Sequence, residues 1–112
     1  MGKITYGGLD ITTFCNYNII MKIEWDEAKR RSNLQKHGID FADVAPLFDN
    51  DHIIIEDDRF EYGEVRLIAL GLLIGRLIVV VYVERGTDTI RLISARKASN
   101  YEEKQYFSQI AH

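Results

Sequence analysis

The chain has one cysteine, one proline and no uninterrupted apolar run long enough to cross a bilayer. Each shortage excludes something. Cys15 alone can form no internal disulfide and cannot anchor a cysteine-rich zinc site, which fits a reducing cytoplasm. The longest apolar stretches, Leu67 to Ile74 and Leu77 to Val83, are split by Gly75-Arg76, whereas a membrane helix needs roughly 20 apolar residues. No membrane association is expected. The sequence contains no phosphate-cradling glycine loop, no GxSxG turn and no zinc-ligand spacing. The acids Asp57, Asp58, Glu61 and Glu64 match neither a calcium loop nor a catalytic metal motif. They are expected to form a solvated acidic loop, and no metal or other cofactor is predicted.

What remains is a small, strongly patterned chain. Its 112 residues, 46% of them hydrophobic, are enough for one domain with a single core. The net charge of −3 is unevenly spread. Met21 to Ile39 sets Lys22, Lys29, Arg30, Arg31 and Lys36 against three acids; Asp40 to Glu64 then carries nine acids and only Arg59; from Val65 onward seven Lys or Arg oppose four acids. A basic patch can therefore exist on an acidic protein, although a charge-mixed solvated surface fits the same counts. Residues 1–20, MGKITYGGLDITTFCNYNII, show no amphipathic period and no signal-peptide features. They read as an N-terminal extension: a vector-derived lead, an upstream-translated segment or an optional edge strand. Residues 21–112 are expected to be the domain proper.

Hydrophobic periodicity predicts the elements of that domain. Lys22 to Trp25 alternates as a half-buried strand does. Asp26 is a good helix N-cap, Glu27 suits the first turn, and the helix should run to Lys36 or His37 with Gly38 as its left-handed stop. Asp40 can cap a second, shorter helix, which Pro46 should kink or break near Ala45. Strands follow at His52 to Glu56, Glu64 to Leu72, Arg76 to Glu84 and Thr89 to Ala95, with a tight turn around Leu73 to Gly75. Ser99-Asn100-Tyr101-Glu102 is a capping box opening a last helix. The expected fold class is α+β: an antiparallel meander sheet with two N-terminal helices and a C-terminal helix, the helices on one side or end. Trp25, Phe41, Phe48, Tyr82 and Tyr106 are expected in the core; Tyr62 and Tyr101 are weaker candidates for stacking on bases.

Two groups of residues could carry chemistry. Lys29, Asn33, Lys36 and His37 recur at helical spacing and would share one face of the first helix, offering cations and an amide to a phosphate. A plain solvated face, or a helix-ending His37 packed on Trp25 or Phe41, accounts for them equally well. Arginines of the late strands are the sharper signal: Arg66, Arg76, Arg85, Arg91 and Arg96 carry permanent charge on forks that match phosphate oxygens. Arg91 and Arg96 cannot face the same side of a regular strand, because an odd spacing alternates sides. Either Arg96 lies past the strand end or only one belongs to a site. The hairpin loop after Glu84 matters too. A four-residue loop would set Glu84 opposite Arg91, whereas a three-residue loop would set it opposite Ile90.

Three blocks, WDEAKRRSNLQKHGIDFADV, DDRFEYGEVR leading to GLLIGRLIVVVYVER, and IRLISARKASNYEEKQYF, together resemble the BrnT family of ribonuclease toxins from type II toxin–antitoxin systems. The resemblance covers about Met21 to Tyr106, and the extension before it departs from the pattern. It implies a RelE-like fold, RNA as substrate, growth arrest, and a cognate BrnA-like antitoxin whose DNA-binding domain brings the pair to operator DNA. Carried onto this sequence, it points to Lys36, His37, Arg85, Arg91 and Arg96. A nuclease of this kind without metal needs a base for the 2′-hydroxyl, cations for the phosphorane charge and an acid for the leaving oxygen. The expected catalytic set is His37, Glu84, Arg91 and Arg96, with RNA contacts from Lys29, Lys36, Arg66, Arg85 and Lys97. A non-catalytic RNA- or protein-binding module, or an inactive toxin acting as antitoxin corepressor, is the alternative.

Overall fold

The computed structural model describes residues 2–6, 9–16, 19–57 and 63–110, with side chains from Lys22 onward. Two strands, β1 (Gly2–Tyr6) and β2 (Leu9–Asn16), precede β3 (Ile19–Asp26). In β3 the expected alternation holds: Ile23 and Trp25 are buried while Lys22 is exposed and Glu24 half-buried. Helix α1 (Glu27–His37) starts where the Asp26 carboxylate accepts the Lys29 N–H at 3.1 Å. It stops at Gly38, whose φ of 71° lets its N–H reach the Leu34 carbonyl. Only glycine adopts that left-handed conformation cheaply.

Asp40 then caps a single 3₁₀ turn, Phe41–Asp43, and a separate short helix α2 (Ala45–Asp49) follows. The break falls at Val44 because proline, lacking an N–H, is tolerated only in a first turn, where α2 holds Pro46. Strands β4 (His52–Asp57), β5 (Arg66–Leu73), β6 (Arg76–Arg85) and β7 (Thr89–Lys97) lead to α3 (Asn100–Ile110). The capping box at its start is formed: Ser99 Oγ accepts from Glu102 N, and Ser99 N donates to Glu102 Oε1.

The strands form one sheet in the order β1-β2-β3-β7-β6-β5-β4. β4 to β7 are an antiparallel meander, as expected. β3, however, lies parallel to β7, so the five strands from β3 onward form a mixed sheet rather than an antiparallel one. A parallel pair needs a long crossover between its strands, and here everything from α1 to β6 supplies it. The hairpin β1–β2 adds outside β3, and β3 itself starts at Ile19, two residues before the expected domain boundary at Met21.

Both faces of this sheet are covered by helices, whereas the sequence suggested one side or end. On one face Ile78, Val80, Tyr82, Ile90, Leu92 and Ala95 pack with Trp25, Phe41, Val44, Leu47 and Phe48. Alternate residues point the other way. Leu70, Leu77 and Val79 meet Tyr106 of α3 there. The five aromatic residues expected in the core are all buried. No described helix is long and apolar enough to cross a membrane.

Candidate active site

The second sheet face is only partly roofed by α3, and its open part carries the arginines. Register decides which ones. Val83 of β6 opposes Arg91, Val81 opposes Ser94, and Val79 opposes Arg96. Directly paired residues share a face, so Arg91 and Arg96 both point to the Val79–Val83 side despite their odd spacing. The reason is a bulge: Tyr82 pairs Leu92 while Val81 pairs Ser94, leaving Ile93 without a partner. One unpaired residue restores the alternation, and β7 continues to Lys97, so Arg96 lies within it.

The two arginines nevertheless do different things. The Arg96 fork is bidentate to Glu102, with Nη1 and Nη2 each 2.8 Å from a carboxylate oxygen. Glu102 also holds the Ser99 N–H, so this pair pins the start of α3 to the end of β7. Arg96 beside it, helped by the Ser99 N–H and against the cost of burial, holds the Glu102 carboxyl down at about 2. The Arg96 fork is engaged in the fold rather than presented to a phosphate.

Arg91 belongs to another cluster. Arg66 opens β5 opposite Asp57 of β4, and one step beyond the Leu67–Tyr82 pair it flanks Val83 from the side away from Arg91. The two arginines therefore stand two strand spacings, about 10 Å, apart across Val83. Val83 is 1% exposed. Arg85, two residues on, shares their face, and its Nη1 donates to Glu64 Oε2 at 2.7 Å. That hydrogen bond draws the Glu64 carboxyl below its usual range, with the charges of Arg85, Arg66 and Arg91 adding to the shift. Three arginines from three adjacent strands thus share one face, with the exposed Glu64 carboxylate bonded to Arg85. Glu24 sits beside Arg91 across the β3–β7 pair, and its charge reaches Arg85.

Other expected members are placed elsewhere. Arg85 opposes Thr89, so the hairpin has the three-residue loop and Glu84 opposes Ile90. Glu84 therefore points to the face away from Arg91, on the Tyr82 side, where burial and the nearby Glu84 charge push the Tyr82 phenol to about 12. Lys97 opposes Ile78 and is exposed, also on the far side from the arginines. On α1, Lys29, Lys36 and His37 are exposed, so His37 does not pack on Trp25 or Phe41.

Asn33 is no member of an RNA-facing set. It is 6% exposed and makes three backbone hydrogen bonds: Nδ2 to the Ile39 and Ala95 carbonyls, and Oδ1 from the Ala95 N–H. The β3–β7 pairing ends at Arg91, so the amide supplies Ala95 with the partners a neighbouring strand would have given it. Asp57, expected in a solvated loop, is instead buried in β4. Asp58, Glu61 and Tyr62 lie outside the described residues, and Tyr101 is exposed at the start of α3. Sequence reasoning missed Glu24 and Glu64 as neighbours of the arginines. The polar phase of the Lys22–Trp25 alternation is a signal for Glu24 alone.

Comparison with known proteins identifies the family of the chain. The profile of a family described as "Ribonuclease toxin, BrnT, of type II toxin-antitoxin system" matches residues 25–102, which include every arginine of the cluster. The crystal structure of the Brucella abortus ribonuclease toxin BrnT is similar at 35% sequence identity and a TM-score of 0.57. The match covers 68% of this chain and 94% of that one. No curated protein sequence matches the chain. A match through most of the sequence, shared with a solved toxin over nearly its whole length, places the chain in the BrnT family of ribonuclease toxins of type II toxin–antitoxin systems.

Proposed function

We propose that this endoribonuclease cuts RNA by 2′-hydroxyl attack without a metal ion, at the cluster of Arg66, Arg85 and Arg91. The observation that carries the proposal is the placement of Arg66, Arg85 and Arg91 on one face of three adjacent strands, with Glu64 hydrogen-bonded to Arg85 beside them. A carboxylate there marks a position where an anion is stabilised, and a phosphate is the larger anion with the better match to arginine forks. On binding, the scissile phosphate takes over the Arg85 fork from Glu64. The O2′–P bond forms, the P–O5′ bond breaks, and permanent cations hold the charge that builds on the phosphoryl oxygens. Glu64, released but still ionised beside Arg66 and Arg91, accepts the 2′-hydroxyl proton, and the leaving O5′ takes its proton from water. His37 does not serve here: Gly38 beside it packs near Ile78, seven strand residues or about 23 Å along β6 from Arg85. The products are a 2′,3′-cyclic phosphate and a 5′-hydroxyl.

Within this proposal Arg96 is a positioning residue for α3, Glu84, His37, Lys36 and Lys97 leave the site because they lie away from the cluster, and Lys29 binds flanking backbone. The proposal also includes growth arrest in the cytoplasm, neutralisation by a BrnA-like antitoxin that carries the complex to operator DNA, and kinship with the RelE-like toxins, which the order of elements after β2 supports. The family match begins at residue 25, which supports treating residues 1–20 as an extension.

The test is cleavage of a defined RNA in excess EDTA with analysis of product ends. Cyclic or 3′-phosphate ends, and a loss of roughly 100-fold in Arg91→Gln with folding unchanged, are expected. Chelator-sensitive cleavage leaving 5′-phosphates would overturn the mechanism. One observation favours a second reading: Glu24, Asp57 and Glu64 oppose the three arginines charge for charge. Intact RNA together with retained antitoxin binding would support a binding module or corepressor instead.

A further inference from the structure

β4 is the last strand of the sheet, and among the described residues nothing pairs with its outer edge. Free edges of this kind are ordinarily guarded by proline, an inward charge, a bulge or a covering element. β4 reads HIIIED, with three successive isoleucines, no proline and a regular register against β5. Ile54 is 53% exposed and Ile55 48% exposed, on opposite faces of the strand. The one inward charge, Asp57, sits at the very end of the strand. The stretch from His52 to Glu56 is therefore an open edge with apolar side chains on both faces, suited to adding a strand.

The sequence of that edge specifies the strand. In an antiparallel pair about a two-fold axis normal to the sheet, partners share a face, so the axis must pass through one residue. Centred on Ile54, the pairing sets Ile54 against itself, Ile53 against Ile55, and His52 against Glu56. All the apolar residues then meet one another, and an imidazole faces a carboxylate at each end. Centred on Ile55 instead, the pairing sets Ile54 against Glu56 and Ile53 against Asp57. Nδ1 of His52 is already engaged with the Asn50 carbonyl at 2.8 Å, which leaves Nε2 for a carboxylate across the pair. We propose that β4 is a homodimerisation edge, on which a second copy of this chain docks antiparallel in the Ile54-centred register.

Such a dimer joins two seven-stranded sheets into one. The axis normal to the sheet keeps faces aligned, so both arginine clusters open to the same side. A strand edge alone buries less than a standard interface of about 1,600 Å², so the association should be concentration-dependent rather than permanent.

Sedimentation equilibrium of the full chain over a wide concentration range should show a monomer–dimer equilibrium. Ile54→Lys, at a half-exposed site, should give a monomer with an unchanged circular dichroism spectrum. The register has its own test. His52→Glu sets a glutamate against Glu56, and Glu56→Lys sets a lysine against His52, so each variant should dimerise at least tenfold more weakly than the parent. Mixed together they should form a heterodimer. At one end of that pair the introduced glutamate faces the introduced lysine, and at the other the parental imidazole and carboxylate still meet. A parent chain that stays monomeric throughout, or a dimer untouched by Ile54→Lys, would overturn the proposal. Weakening of both single variants without rescue on mixing would overturn the register. Should His52→Glu fail to fold, Ile54→Cys in a Cys15→Ser background replaces it: rapid disulfide formation across the axis is expected, and none would reject the Ile54 centre.

Discussion

Asn33→Ala is the substitution that best separates the architecture from an RNA-binding reading of α1. The amide makes three buried backbone hydrogen bonds, at 3.0, 2.9 and 3.0 Å. Each contributes about 1 kcal/mol net, and removing the side chain leaves the Ala95 N–H and two carbonyls without those bonds. The sum, about 3 kcal/mol, is offset by up to ~0.7 kcal/mol of gained helix propensity at an α1 position. A net loss of about 2–3 kcal/mol is expected, which for a domain of this size lowers Tm by roughly 10–20 °C. Urea unfolding followed by circular dichroism measures it, with an unchanged m value showing that the states compared are the same. Asn33→Asp keeps the bond from Ala95 N–H but aims a carboxylate at two carbonyls, so it should cost at least as much. A loss below about 1 kcal/mol, accompanied by defective RNA cleavage, would refute the argument and return Asn33 to the nucleic-acid surface.

Two further substitutions bear on how the site is supported. Because Glu102 titrates at about 2 in the folded protein, below its ordinary 4.5, its contribution is complete above that ordinary value and disappears as pH falls toward 2. After allowance for the partly exposed Arg96, this is about 1–2 kcal/mol, and Arg96→Gln should remove it, flattening the acid limb of a stability–pH curve. At the β5–β6 hairpin, Ile74 holds a φ of 50° and is 87% exposed, next to Gly75 at 74°. That pair of positive φ values favours Asn-Gly, so Ile74→Asn should raise stability by about 1 kcal/mol in the same urea assay.

Much of the local structure was legible because its causes are local. Asp26, Gly38, Pro46 and the Ser99–Glu102 box act on their own few residues, so the ends of α1, the break before α2 and the start of α3 follow from them. The core aromatics and the four-strand meander also came from short-range alternation. The face sharing of Arg91 and Arg96 did not, because an alternation count has no way to register an unpaired Ile93. Asn33 misled for a related reason. Its helical spacing fits an exposed cationic face, and only the early end of the β3–β7 pairing turns the amide inward.

The sequence by itself therefore determined element types, a single cysteine with no internal disulfide partner, and the supply of arginines. Tertiary structure decided which of those arginines share a face. A parallel β3, a bulge in β7 and a three-residue hairpin put Arg66, Arg85 and Arg91 on one face, turn Glu84 away and give Arg96 to Glu102. Register is an agreement between distant strands, and a single unpaired residue moves every later side chain to the other face.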